Sequence, residues 1–331
     1  MALLHVKNLE VSFGARKGAL KALRDINFSL ERGERVGIVG ESGAGKSVLG
    51  FSILNLISRP GSITAGEVLF DGQNLASLSA PQLRNIRGNR ISMIFQDPMM
   101  TLNPVLTIGI QMIECLKAHR EISNEDARKI ALQKLQQVYI SSPEKRLNQY
   151  PHELSGGMLQ RIVIAIALLM DPELIIADEP TTALDVTIQA EIMELILELC
   201  ERNHVALIMI THDLGVITQV TKRMLVMYAG RIIEQGPTRE IINDAQHPYT
   251  QGLINAMPQM AVRGERLNQI RGSMPSLNGL PQGCAFSPRC DYANDSRCQQ
   301  VHPEYTVSGG CKVACHAVEN IKRQQKNDQA C

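Results

Sequence analysis

The chain has 331 residues, 44% of them hydrophobic, and a formal net charge of +1. That length suits one large domain with an appendage or two modest domains, and that charge gives no broad drive toward nucleic acid or anionic lipid. Tryptophan is absent and aromatic residues make up 4%, which argues against aromatic platforms for stacking bases.

The opening residues, MALLHVKNLE, alternate like a strand and lack the long apolar stretch of a secretory signal. No apolar run reaches the roughly 18 residues of a membrane span; runs such as Ile162–Met170 suit buried helices. The expectation is a soluble, cytoplasmic chain that meets a membrane only through partners.

Leu3–Phe13 and Asn27–Leu30 predict strands, and Arg35–Val39 is a short apolar strand suited to a sheet interior. Glycines follow, then a helical pattern from Lys46 to about Leu56. Glu67–Phe70, Asp71-Gly72 and Gln73–Leu75 predict a hairpin on the Asp-Gly turn signal. From about Thr107 to Met170 the periodicity is mostly helical. Leu174–Ala177 is a further buried strand. Ile188, Ile192, Leu195, Ile196 and Leu199 then line one helix face, opposite Glu191, Glu194, Glu198 and Glu201. Val205–Ile210 and Met224–Tyr228 complete the strands. Strands alternating with helices predict an α/β fold with a mostly parallel sheet. Beyond about residue 260 the texture turns to Pro, Gly, Ser and Cys. The expected division is 1–258 and 259–331, with a helical subdomain at about 107–170.

Gly40-Glu41-Ser42-Gly43-Ala44-Gly45-Lys46-Ser47 fits the phosphate-loop pattern G-x-x-x-x-G-K-[ST] between a buried strand and a helix. Glycines let backbone N–H groups turn toward phosphate oxygens, and the helix N-terminus adds partial positive charge. Lys46 is expected to reach the β- and γ-phosphates and Ser47 to ligate Mg²⁺. Leu174–Ala177 ends in Asp178 and Glu179. Alone, such a run is also what a strand entering a polar loop looks like. Beside a phosphate loop it predicts Asp178 on Mg²⁺ and Glu179 as general base.

Leu154-Ser155-Gly156-Gly157-Met158-Leu159-Gln160-Arg161 precedes a long apolar helix. With this L-S-G-G-x-x-x-R signature the chain resembles the ABC ATPase family over about residues 3–255. The resemblance implies a P-loop ABC-type nucleotide-binding domain and complete ATP sites only in a head-to-tail dimer. Ser155, Gly156 and Gly157 of one subunit would clasp the γ-phosphate held by the other. Gln96 resembles the Q-loop glutamine, which senses Mg²⁺ and water and couples to the membrane partner. Ala183-Leu184-Asp185 resembles the D-loop, His212 the switch histidine at the γ-phosphate, and Phe13 the aromatic that stacks on adenine. With every one of these positions retained, hydrolysis rather than ATP binding alone is expected.

Of eight cysteines, six fall between Cys284 and Cys331. In a reducing compartment such crowding favours metal or cluster ligation over disulfides. His247-Pro248-Tyr249-Thr250, Gly283-Cys284-x-Phe286-x-Pro288-Arg289-Cys290, Cys298 and Val313-Ala314-Cys315-His316 resemble the C-terminal extension of oligopeptide and dipeptide importer ATPases, the peptide/nickel group. That resemblance implies a 4Fe–4S cluster on Cys284, Cys290, Cys298 and Cys315. The alternatives are a Cys₄ zinc site and unmetallated thiols, and Cys311 leaves the fourth ligand open. Cys331 is expected to be a free thiol. The methionines of Met93–Met100 are expected to pack, and the basic residues of Lys322–Lys326 to form a solvated tail.

The resemblance implies a second, different ATPase subunit, two transmembrane permeases and a periplasmic or extracellular solute-binding protein. It places the chain peripherally on the cytoplasmic face of the inner membrane, energising peptide uptake. Another cargo, such as nickel, a glycoside or an antimicrobial peptide, fits the same extension. A soluble ABC ATPase acting on nucleic acid or ribosomes fits less well. Such relatives carry paired domains, long insertions or N-terminal clusters, and the near-neutral charge opposes that class.

Overall fold

The computed structural model describes residues 2–14, 19–182, 184–257, 268–293, 295–319 and 321. Ala183, the boundary expected at 258/259, the basic tail and Cys331 lie outside the described residues. The strands, in chain order, are β1 (Leu4–Phe13), β2 (Leu20–Leu30), β3 (Arg35–Val39), β4 (Gly61–Phe70), β5 (Gln73–Asn74), β6 (Ile91–Ile94), β7 (Leu174–Asp178), β8 (Ala206–Thr211), β9 (Arg223–Tyr228), β10 (Arg231–Pro237), β11 (Thr306–Ser308) and β12 (Cys311–Val313). The chain divides into two compact units, one built chiefly on Ser77–Met209 and the other on Leu4–Ser29, Arg35–Ala76 and the described residues after Met209.

In the first unit β6 and β7 pair in parallel, Ile91 opposite Leu174 and Ile94 opposite Ala177. Every residue of both strands is buried, the continuous apolar pattern of a parallel sheet covered on both faces. The expected helical stretch contains Ile108–Lys117, Asn124–Gln137, Pro143–Arg146 and Gly156–Ala167, and Val186–Arg202 follows β7. Thr107, Ser123, Ser155 and Asp185 each cap a helix by accepting a backbone N–H, as short polar side chains do best.

In the second unit one sheet has the order β2-β1-β4-β5, and the order β11-β12-β10-β9-β3 forms another run of strands. β4 and β5 are antiparallel across Asp71-Gly72, both at positive φ, the hairpin the dipeptide predicts. β3 and β9 are parallel, Val36 opposite Arg223 and Val39 opposite Val226. β10 turns back on β9 through Ala229-Gly230, again at positive φ, and β12 pairs with β10 at Glu234 and Gln235. The extension thus adds strands beside β10.

The structure departs from the expected elements at their ends. The helix begun at Lys46 stops at Ile53, not Leu56, because Asn55 takes a left-handed φ of 51°. Asn55 N–H donates to Ser52 at 3.0 Å and Leu56 N–H to Phe51 at 2.7 Å, a Schellman cap. β2 begins at Leu20 rather than Asn27, with Ala22 and Leu23 buried. Among the described residues no helix is long and apolar enough to cross a membrane.

A buried polar layer joins β10 to the helix Pro248–Asn255 in the second unit. Glu234 is fully buried and accepts the N–H of Gln246 at 2.8 Å and of His247 at 3.1 Å. Burial raises its carboxyl pKa. His247 caps the helix, its Nδ1 accepting from Tyr249 N–H at 3.1 Å. Its Nε2 has no partner among the described residues, so burial drives the imidazole down from 6.5 to about 3. The folded chain therefore resists a proton that the unfolded chain accepts. Stability held above pH 6.5 is lost as pH falls toward 3, by up to about 1.4 kcal/mol per pH unit. Glu234 works in the opposite direction, and His302, lowered to about 4, works in the same direction. His247→Asn keeps the capping acceptor and removes the imidazole. Thermal melts from pH 7 to pH 5 are expected to show a shallower loss of Tm for this variant than for wild type; parallel curves would contradict the assignment.

Candidate functional site

The phosphate loop leaves β3 at Gly40 and enters the helix Lys46–Ile53 at Gly45. Gly40, Gly43 and Gly45 have φ of 156°, 84° and 99°. A Cβ at Gly40 would collide with the carbonyl oxygen of Met227 and with Ala44, so the turn closes only with glycine there. The back of the loop is tied to its own unit, Gly230 N–H donating to Ala44 at 2.9 Å. Lys46 is buried, and its ammonium donates to the Gly40 carbonyl at 2.8 Å and the Glu41 carbonyl at 3.2 Å. Ser47 lies one residue further into the helix. A glycine-shaped turn with a buried ammonium and a hydroxyl at a helix start has the donor set a magnesium-bound triphosphate requires.

Glu41 has partners that lie far away in sequence. Its N–H donates to Tyr249 Oη at 2.7 Å. Its carboxylate receives Arg289 Nη1 at 2.7 Å and Nη2 at 3.0 Å. Sequence reasoning missed Tyr249 and Arg289 as neighbours of the loop, because nothing local signals a contact spanning 248 positions. In the same unit, His212 is exposed just after β8. It stands between Thr211, which accepts Asp213 N–H at 3.0 Å, and Asp213, which caps the helix Leu214–Val220. Phe13, half-buried at the end of β1, lies against Gly61, where a Cβ would strike its ring.

The first unit carries the acidic strand end. Asp178 is 3% exposed at the last position of β7. Glu179 follows at φ 47°, a left-handed backbone that costs a non-glycine residue energy and recurs at functional sites. Gln96 Nε2 donates to Glu179 Oε2 at 3.3 Å, and Thr182 Oγ1 donates to the same oxygen at 3.1 Å. Gln96 and Glu179, singled out separately in the sequence, are brought together, and Thr182 adds a second donor that sequence reasoning did not name. Gln189 braces the segment between, donating to Thr181 at 3.2 Å and Leu184 at 3.0 Å.

Ser155 caps the helix Gly156–Ala167, accepting Met158 N–H at 3.4 Å. Asp185 caps Val186–Arg202, accepting Ile188 N–H at 3.2 Å. A Cβ on Gly157 would come within 3.0 Å of Ile188, and one on Gly156 within 3.5 Å of Leu184. The signature glycines and the segment holding Asp185 therefore share one contact. Arg161 joins the same two helices through Glu191 at 2.8 Å. The methionine-rich stretch is not wholly packing. Met93 is buried in β6, whereas Met99 and Met100 are 50% and 85% exposed, because Asp97 caps the short helix Pro98–Thr101 and turns them outward.

In the extension, Phe286 enters an aromatic cluster with Tyr228 and Tyr249, at ring separations of 5.3 Å and 5.4 Å. Burial raises the Cys284, Cys290, Cys298 and Cys315 thiols, Cys290 to about 11 and Cys315 to about 12. Cys284, Cys290 and Cys298 each add to the rise at Cys315. Cys311 stands apart, raised to about 11 by burial and by Glu234 and Glu240, with Glu240 Oε2 3.9 Å from its sulfur. Cys284, Cys290, Cys298 and Cys315 supply thiol donors of the kind a soft metal or iron–sulfur site uses. Among the described residues, however, no three His, Cys, Asp or Glu side chains converge as metal ligands.

A family model described as ABC transporter matches residues 23–182, and one described as oligopeptide/dipeptide transporter, C-terminal region, matches residues 233–298. The chain is 46% identical over 320 residues to the dipeptide transport ATP-binding protein DppD of Haemophilus influenzae, covering 97% of each chain. It is 50% identical over 308 residues to the oligopeptide transport ATP-binding protein OppD of Bacillus subtilis, covering 92% of this chain and 86% of that one. Among solved structures it is similar to the dimeric post-hydrolysis state of the ATP-binding cassette MJ0796 bound to ADP and Pi. That match has a TM-score of 0.64 and 31% identity, covering 71% of this chain and 99% of that one. The complete set of ATP motifs, the cassette fold and the matched extension establish that the chain belongs to the ABC transporter ATP-binding family that includes these dipeptide and oligopeptide transport proteins.

Proposed function

We propose that this chain is the ATP-hydrolysing subunit of an importer that takes up dipeptides and oligopeptides across the cytoplasmic membrane. The observation that carries the reading is the joint match of cassette and peptide-transporter extension, near full length, to relatives named for peptide transport. The reading includes a second ATPase subunit of different sequence, two permease subunits, a solute-binding protein and a peripheral position at the membrane. Nickel, glycoside or antimicrobial-peptide cargo would use the same subunit design.

The residues act by positioning and charge. Lys46 and the loop amides from Gly40 to Ser47 bind the phosphates of ATP, with Glu41, Ser42, Gly43, Ala44 and Gly45 forming the cradle. Ser47, Asp178 and Gln96 would be the residues that hold magnesium, which would supply positive charge to the phosphate oxygens. Glu179 orients and deprotonates the attacking water, and the donors of Gln96 and Thr182 on its Oε2 support a fixed orientation. His212 contacts the γ-phosphate. Ser155, Gly156 and Gly157, with Asp185 of the D-loop, complete the site of the opposite subunit. The adenine-stacking role of Phe13 rests on the resemblance, since its ring is engaged with Gly61. ATP binding closes the dimer and hydrolysis reopens it, which is how a ligand with unequal affinity for two states does work.

Cys284, Cys290, Cys298 and Cys315 would hold a 4Fe–4S cluster, serving as a staple in a segment with little apolar core of its own. The assignment rests on the resemblance of the extension, since among the described residues no three such side chains converge as metal ligands.

Two outcomes test the reading. Glu179→Gln is expected to bind ATP normally while turnover falls by roughly 10²–10⁴-fold; turnover near wild type would remove the assigned role. Protein purified without oxygen is expected to be brown and to contain iron and sulfide; colourless protein with stoichiometric zinc would replace the cluster by a zinc site.

A further inference from the structure

Glu41 is the acidic residue of the phosphate loop, and the C-terminal region holds both its backbone and its side chain. Tyr249 Oη accepts its N–H at 2.7 Å, while Arg289 forks its carboxylate at 2.7 Å and 3.0 Å. The Arg289 side chain is 5% exposed and that of Glu41 31%. The guanidinium is itself aimed by other contacts. Its Nε donates to the Arg271 carbonyl at 2.7 Å, Nη2 to the Gly272 carbonyl at 3.3 Å and Nη1 to Tyr228 Oη at 3.4 Å. It also lies 5.8 Å from the Phe286 ring centroid. Exposed ion pairs contribute little. This one is two-pronged, has one partner buried, and uses a planar group already fixed in place.

The location gives the pair its consequence. A carboxylate at the second residue of a cradle for a polyanion repels what the cradle binds, unless a cation neutralises it. Arg289 supplies that cation and pins the residue. Arg289 ends a tight turn of the cysteine segment, with Ser287 N–H donating to Cys284 at 3.0 Å and Cys290 N–H to Ser287 at 3.3 Å.

We propose that Arg289 is a positioning residue for the phosphate loop, through which the cysteine-bearing extension sets the loop's affinity for a nucleoside triphosphate. The proposal rests on the reading that this loop binds ATP. Its structural content is one juxtaposition: the guanidinium beside Cys290 grips the acidic residue of the loop.

The test measures equilibrium binding of magnesium ATP, together with kcat and KM, for the full-length chain and its Arg289→Ala, Arg289→Lys, Glu41→Gln and doubly substituted Arg289→Ala/Glu41→Gln forms. Arg289→Ala is expected to weaken binding about five- to tenfold, with KM rising and kcat little changed. Arg289→Lys recovers part of the loss, because an ammonium restores the charge but not the fork. The double substitution binds more tightly than Arg289→Ala, since the exposed carboxylate is gone. A purely structural staple would not show that rescue. Wild-type affinity in Arg289→Ala, or a defect that Glu41→Gln leaves unchanged, would overturn the proposal. Should Arg289→Ala fail to fold, Arg289→Lys with and without Glu41→Gln provides the same contrast. If wild type itself binds no magnesium ATP, the failure belongs to the functional reading instead.

Discussion

The end of β3 is the constraint on which the second unit is arranged. The chain must reverse within a few residues while keeping a helix N-terminus at the turn, and Gly40 faces the Met227 carbonyl too closely for any side chain. β9 supplies that carbonyl and also pairs in parallel with β3. The strand that supports the loop thus also dictates its glycine. Lys46, folded back on the carbonyls of Gly40 and Glu41, is held by the turn it serves. Glu41 extends the arrangement outward, because its two partners come from the region that follows the cassette strands.

The first unit solves a similar problem at helix starts. Ser155 and Asp185 each cap a helix, and the small residues after Ser155 let the two N-terminal segments approach. Exposed helix N-terminal amides attract anions, and the anion role proposed for the signature would draw on the same small residues that let the helix pair pack. Glu179 departs from this economy. Its left-handed backbone costs energy that packing alone would not require, and the reward is a carboxylate fixed by two donors.

Much of this was legible because local rules and tertiary structure agree. The buried strands β3, β7 and β8 are short apolar runs, and the Asp71-Gly72 hairpin follows directly from its dipeptide. The phosphate loop, signature and acidic strand end are local patterns as well. What stayed hidden depends on context. The helices ending at Ile53, Gln137 and Arg202 stop at left-handed Asn55, Tyr139 and His204, where no glycine announces the cap. β10 ends in Gly236-Pro237, which reads as a loop until β9 and β12 pair with it. Cys311 meets Glu240 from 71 positions away, a contact that spacing cannot show. Arg289 meets Glu41 from 248 positions away.

The account stands on two anion cradles, Gly40–Ser47 and Ser155–Gly157, serving one nucleotide from different subunits. The most direct measurement is an experimental structure of the assembled ATPase pair with magnesium ATP bound. The account predicts Ser155 and Gly157 of one protomer against the γ-phosphate of ATP seated on the partner's phosphate loop. A nucleotide-loaded pair with Ser155 remote from every γ-phosphate would contradict it.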